Sequence, residues 1–245
     1  MNELLLIALV SGAAGLLQGA VGFGFGLLAL AVLSARLPVG EATAILAPAN
    51  LVVNLVMLAY LRRYFSFDRL RLLLLSSMIG VPAGIFFLVI ADAYWLRLAL
   101  VIILFTAVGQ HLIPSSGDKP WPNWSALPCG LLSGMLTGAF GTGGPPAVAY
   151  VHRQGFDRRR YAVSLQAAFG LGSLLRLPGL VAGGVLDFSH LLPGMTAVLC
   201  ALAGATAGVL VLHRLSNRIV ARASVALLAI MGVRHMLLLL RELSL

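Results

Sequence analysis

Carboxylates are scarce in this sequence: its 245 residues include 8 Asp and Glu against 17 Lys and Arg, and none of the acids lies deep within an apolar stretch. That scarcity excludes paired-carboxylate chemistry in a hydrophobic interior and argues against a cation carrier, which would hold Asp or Glu among its helices. There is no His-Glu-x-x-His pattern, so the helical zinc-hydrolase arrangement is absent. Ser133-Gly134 could imitate a nucleophile, but nothing fixes a base beside it. Cysteine is limited to Cys129 and Cys200, far apart and without the paired spacing of a zinc or redox site, so both read as small apolar packing residues and no metal or cofactor is expected. Basic residues are also missing before the first apolar stretch, which starts Met1-Asn2-Glu3-Leu4. A cleaved leader is therefore not expected, and the first run is expected to remain.

What fills the sequence instead is apolar: 60% of residues are hydrophobic and 10% charged, with mean hydropathy +1.00. One water-soluble core could not hide so many apolar side chains, so they must face lipid. The net charge of +9 would suggest nucleic acid in a soluble protein. Here the basic residues fall between apolar runs, as in cytoplasmic membrane loops, and a nucleic-acid partner is excluded on that ground.

The runs extend from Leu4 to Leu33, Ala42 to Leu61, Leu70 to Ala91, Trp95 to Ile113, Ala126 to Val151, Tyr161 to Ala182, Leu191 to Leu212 and Ala221 to Leu240. Spanning hydrocarbon takes roughly 20 apolar residues per helix, and a membrane strand would alternate apolar with polar side chains. The expectation is an all-α integral membrane protein of about eight hydrophobic helical segments. Residues 114–125, rich in Pro, Gly and Ser, read as a connection between a first repeat, 1–113, and a second, 126–245, with four segments each.

The two halves resemble each other. Gly15, Gly19, Ala20, Gly22 and Gly24 recur at one constant offset as Gly134, Gly138, Ala139, Gly141 and Gly143. On the third run of each half, Gly80 and Gly84 have counterparts in Gly204 and Gly208, four residues apart as in close-packed membrane helices. Basic residues cluster at Arg62, Arg63, Arg69 and Arg71, again at Arg153, Arg158, Arg159 and Arg160, and again at Arg214, Arg218 and Arg222. Placing all three clusters on the cytoplasmic side requires an odd number of crossings per half, hence inverted repeats whose glycine-bearing first runs enter and return. The rival arrangement is eight full crossings with parallel repeats.

The sharpest motif is Gly138-Ala139-Phe140-Gly141-Thr142-Gly143-Gly144-Pro145-Pro146, in the middle of an apolar run. So much Gly and Pro should break a membrane helix, with Pro145 and Pro146 in the first turn of a new half-helix. Unwound backbone at membrane depth is tolerated where it lines a cavity, and half-helix N-termini there attract anions. Gly141, Thr142, Gly143 and Gly144 are therefore candidate binding residues, with Gly22 and Gly24 of the first-half counterpart Gly22-Phe23-Gly24-Phe25-Gly26. Polar residues inside runs add Asn50 and Asn54, one turn apart, and Gln166 and Ser173, two turns apart. Such neutral donors suit a partly dehydrated anion, or else hold the bundle together by interhelical hydrogen bonds; Gln18 and Thr137, just before the clusters, stand the same way. Arg176 could neutralise an anion, or snorkel to the surface or to Asp187. His111, His152, His190, His213 and His235 sit near run ends, where interfacial anchoring is expected and proton coupling is the alternative.

The paired motifs Gly22-Phe23-Gly24-Phe25-Gly26 and Gly141-Thr142-Gly143-Gly144-Pro145 resemble the duplicated glycine signatures of the TauE/SafE family, and the resemblance in length, number of runs and two-half layout covers essentially the whole chain. It implies a non-enzymatic transporter of sulfite, organosulfonates or related sulfur anions in the bacterial cytoplasmic membrane. The chain departs from the family where many members carry a Pro after the first glycine cluster, since Leu28-Ala29-Leu30-Ala31-Val32 has none, which leaves a half-helix there in question. The partners expected are a small anion and the lipid bilayer. The sequence leaves open carrier or channel, another small anion, a structural membrane subunit, and assembly into a homo-oligomer.

Overall fold

A computed structural model describes residues 2–112, 120–211 and 217–243. Residues 114–119 of the central connection, His213 and Arg214 lie outside the described residues, as do the side chains of His111, Arg158, Arg218 and Arg222. The described residues form helices and no strand: α1 (Glu3–Val21), α2 (Phe25–Leu33), α3 (Val39–Leu61), α4 (Arg71–Ile90), α5 (Ala93–Leu112), α6 (Ala126–Phe140), α7 (Gly144–Arg153), α8 (Arg158–Ala182), α9 (Leu191–Val211) and α10 (Asn217–Leu243). Seven of these helices are long and apolar enough to cross a membrane. The run from Ala126 to Val151 divides at its glycines into α6 and α7, and the run from Leu4 to Leu33 divides into α1 and α2.

Large apolar side chains face outward along the length of the bundle. Ile79 on α4 is 70% exposed and Leu210 on α9 is 76% exposed, a surface suited to contact with lipid. Inside lies α2, a nine-residue helix with Phe25, Leu30 and Leu33 fully buried. Its presence answers the question raised by the missing proline: burial among neighbouring helices holds α2 in place without one.

Glycines set how the long helices pair. The most extensive contacts join α1 to α9 and α4 to α6, each linking the first helix of one half to the third run of the other. A side chain on Gly15 or Gly19 would run into the backbone of Ala201 or Ala205, and one on Gly134 or Gly138 into that of Ser77 or Val81. Residue numbers rise together along both seams, so each pair runs parallel. Such contact depends on small residues, because lipid supplies no hydrophobic force to press two helices together. Gly134→Leu is expected to force α6 off α4, and size-exclusion chromatography in detergent should show aggregated protein rather than one monodisperse species.

The second glycine-broken segment doubles back. Gln154, just past α7, donates a hydrogen bond to the Trp121 carbonyl, just before α6, at 3.3 Å, and the Arg153 guanidinium lies 5.8 Å from the centre of the Trp121 ring. At the same end Tyr150 donates to the Arg69 carbonyl at 3.1 Å, and the Arg159 guanidinium stacks 5.0 Å from the centre of the Tyr64 ring. The basic segment before α4 and the basic segment before α8 therefore meet.

Two expectations for charged and titratable residues fail here. His235 is not an interfacial anchor: it is fully buried on α10, with Nε2 donating to the Ala31 carbonyl at 2.9 Å and lying 3.2 Å from Ser34 Oγ. N–H groups of the turn after α2 take up the Leu30, Val32 and Leu33 carbonyls, and the ring nitrogen takes up that of Ala31. Arg176 does not snorkel, being 1% exposed on α8. Asp187 instead caps the turn before α9, where hydrogen bonds from Ser189 hold its carboxyl below the usual range, and His190 Nδ1 pairs with it at 2.9 Å.

Candidate functional site

At the first break α1 ends on Gly22, whose N–H still bonds the Gln18 carbonyl at 2.7 Å and whose φ of 93° turns the chain out of the helix. A residue with a Cβ rarely adopts that left-handed conformation. Gly24 then caps α2. The Gln18 carboxamide organises what surrounds them: Oε1 accepts from the Phe25 N–H at 2.9 Å, and Nε2 donates to Asn54 Oδ1 at 2.8 Å and to Gln166 Oε1 at 3.3 Å. Gln166 donates in turn to the Gly22 carbonyl at 2.6 Å. Buried amides are tolerated because they satisfy one another, and here they tie α1, α2, α3 and α8 together at the break.

The second break is built differently. Here α6 ends on Gly141, φ 69°, and α7 starts at Gly144 with proline in its first turn. Ser133 Oγ donates to the Gly143 carbonyl at 2.7 Å. Arg176 Nε donates to the Gly138 carbonyl at 2.9 Å, and Nη2 reaches the Ala139 carbonyl at 3.5 Å. The last carbonyls of a helix have no partner and carry partial negative charge, so a buried cation settles there rather than reaching for solvent.

Between the breaks lies a cavity of about 560 Å³. Gly24 and Gly26 line it from the first motif, Gly141, Thr142, Gly143 and Gly144 from the second, with Gln18, Asn50 and Asn54 beside them. Phe23, Trp121, Tyr161 and Phe169 form aromatic walls, and exposed His152 and half-buried Arg153 stand at the rim where α7 ends. No Asp or Glu lines it, and no cluster of metal-ligating side chains occurs among the described residues. Asn50 Nδ2 and Thr142 Oγ1 are buried and make no hydrogen bond. An unpaired buried donor costs about 1–3 kcal/mol, so each of these two groups has a hydrogen bond still to be made.

The expected site residues divide accordingly. Gly24, Asn50, Asn54, Gly141, Thr142, Gly143 and Gly144 come together around the cavity, whereas Gly22, Gln166, Ser173 and Arg176 are not among the residues lining it. Gln166 and Arg176 instead hold the two helix ends, and Ser173 Oγ is buried without a partner. Gly143 and Gly144 differ in the space a side chain would find: a Cβ on Gly143 would point at Ser133 and Thr137, and one on Gly144 meets nothing within 4 Å. The aromatic walls, Gln110 and Arg153 escaped the sequence reading, because they belong to no motif and no spacing ties them to the glycine breaks.

The family model for the sulfite exporter TauE/SafE matches residues 7–235, a span that takes in both breaks and every residue lining the cavity. The chain belongs to the TauE/SafE sulfite exporter family. No curated protein and no solved structure matches it. TauE/SafE members are transporters rather than enzymes, so this chain is a multi-pass membrane transporter of the sulfur-anion exporter kind, acting on a small anion within a bilayer.

Proposed function

We propose that the protein moves sulfite, an organosulfonate or a similar small sulfur anion across the bacterial cytoplasmic membrane, and binds it between the two glycine breaks near the bilayer midplane. The observation that carries this reading is the pair of buried unpartnered donors, Asn50 Nδ2 and Thr142 Oγ1, in a cavity lined by both breaks and by no carboxylate among the described residues. The α2 N-terminus adds to it. The Phe25 amide is taken by Gln18, whereas the Gly26 and Leu27 amides have no carbonyl one turn back within the helix. A helix N-terminus favours an anion by about 0.3–1 kcal/mol, up to ~2 when partly buried. Hydrogen bonds to a charged group add about 1.5–3 kcal/mol each, so side-chain donors supply more than the helix ends.

Flux into proteoliposomes tests it, with sulfite, a sulfonate, sulfate and chloride compared. Sulfite or sulfonate flux well above that of sulfate and chloride is expected, and rates equal to protein-free vesicles for all four would sink the reading. Asn50→Leu, which removes the amide at similar volume, is expected to lower kcat/KM by about 10- to 150-fold. Thr142→Val keeps the shape and removes one hydroxyl, so a smaller loss is expected.

The same reading takes residues 1–113 and 126–245 as inverted repeats joined by 114–125, with α1–α2 and α6–α7 as re-entrant pairs. It is supported by the return of Gln154 to Trp121 and by the contact of Arg159 with Tyr64, which bring two basic clusters to one end. Cysteines introduced near Arg63, Arg159 and Arg218 should resist a membrane-impermeant thiol reagent in intact cells and react after lysis. Labelling from outside at one of the first two positions, with the other protected, would favour eight plain crossings.

A further inference from the structure

We infer that Arg176 sets the charge of the anion site without touching the anion, as a positioning residue that turns the carboxyl end of α6 from repelling to attracting. The inference rests on the proposed anion site between the breaks. A broken helix presents such a site with two opposite ends: the N-terminus of α7, which favours an anion, and the C-terminus of α6, whose free carbonyls carry roughly half a negative charge. Arg176 occupies that second end through the Gly138 and Ala139 carbonyls. A Cβ on Gly141 would lie 2.8 Å from Arg176 Nη1 and 2.8 Å from Asn50 Nδ2. The guanidinium and the unpartnered amide therefore stand beside each other at the same face of Gly141.

A purely structural role does not account for a cation here. At the first break the neutral amide of Gln166 meets the Gly22 carbonyl. The position matching Arg176, at the offset that relates Gly15 to Gly134, is Met57, buried and apolar. Among the described residues, then, the matching place on α3 carries no charge. No carboxylate among the described residues pairs with Arg176, although it is 1% exposed. Burying a charge without a counter-ion is unfavourable by several kcal/mol in real proteins, and an anion in the adjacent cavity is what would offset it. The two halves then contribute unequally: the first supplies the neutral donor Asn50, and the second supplies the charge behind it.

The test compares full-length R176K, R176Q and R176M with the unmutated protein, measuring KM and Vmax for sulfite in proteoliposomes and the shift in Tm that sulfite causes in detergent. A unit charge roughly 8 Å from the anion, at an effective dielectric near 20, changes affinity on the order of tenfold to thirtyfold. The Gln and Met variants are expected to raise KM by that factor and lose the sulfite-induced Tm shift, with Vmax changed by less than about threefold. R176K keeps the charge and should keep KM. An R176Q variant with the unmutated KM would show that hydrogen bonds alone suffice and would overturn the inference, as would a failure of both neutral variants to purify as monodisperse protein while R176K does. Absence of sulfite flux in the unmutated protein would instead overturn the functional reading, and this inference with it.

Discussion

Gly144→Leu is expected to reduce anion flux to the level of protein-free vesicles while the protein still purifies as one monodisperse species. Gly144 is the first residue of α7 and lines the cavity, and an added Cβ meets nothing within 4 Å. Its φ is not in the left-handed region, so a leucine is accommodated without backbone strain. The side chain then occupies the space between the breaks, close to Thr142 and below the Arg153 rim. Replacing Gly where the backbone accepts a Cβ stabilises by about 0.4–1 kcal/mol, because the unfolded chain loses freedom. Tm should therefore hold or rise as transport vanishes. Full-rate sulfite flux through a folded Gly144→Leu protein would place the anion path elsewhere. Gly143 cannot serve this test, because its Cβ would lie 2.7 Å from Ser133 Oγ and tighter still against Thr137. A substitution there disturbs α6 before it reaches the cavity.

That difference between two adjacent glycines marks where the sequence stops being informative. The breaks themselves were legible, since no membrane helix absorbs Gly141-Thr142-Gly143-Gly144-Pro145-Pro146 without ending, and the register of the two motifs pointed to a paired site. The seams at Gly80, Gly84, Gly204 and Gly208 were legible for a similar reason, because spacing of four on a helix has one geometric meaning. What each polar side chain faces was not. Asn50 and Asn54 share a helix face, yet Asn54 accepts a hydrogen bond from Gln18 while the Asn50 amide is left unpaired in the cavity. Rise per residue placed Arg176 within reach of the surface, but depth alone could not reveal that the carbonyl end of a helix from the other side of the glycine motif would capture it. His235 misled for the same reason: its partners, Ala31 and Ser34, belong to a half-helix that only the first break creates. Local pattern specifies where a helix ends, and the neighbours of that end are a tertiary matter.

Gly141→Val is expected to have the opposite signature from Gly144→Leu, with loss of folded protein rather than loss of function alone. Three independent features converge on this residue. Its φ of 69° is left-handed, and holding a side chain there costs roughly 1–2 kcal/mol, with a β-branched residue at the upper end. A Cβ would sit 2.8 Å from both Arg176 Nη1 and Asn50 Nδ2, so one or both must move. Moving Arg176 strips a buried guanidinium of its carbonyl partners, and hydrogen bonds of a charged group contribute about 1.5–3 kcal/mol each. The Gly141 carbonyl also faces Gly26, so a shift of the backbone pushes the second break against α2 and disturbs the first. Against a total stability of about 5–15 kcal/mol, a combined loss of this size leaves little folded protein. Fluorescence-detected size-exclusion chromatography should show aggregate or no protein for Gly141→Val, with Gly141→Ala intermediate. A Gly141→Val protein as monodisperse and thermally stable as the unmutated one would mean that Arg176 does not hold the α6 end in place, and that the left-handed turn is not what fixes the break.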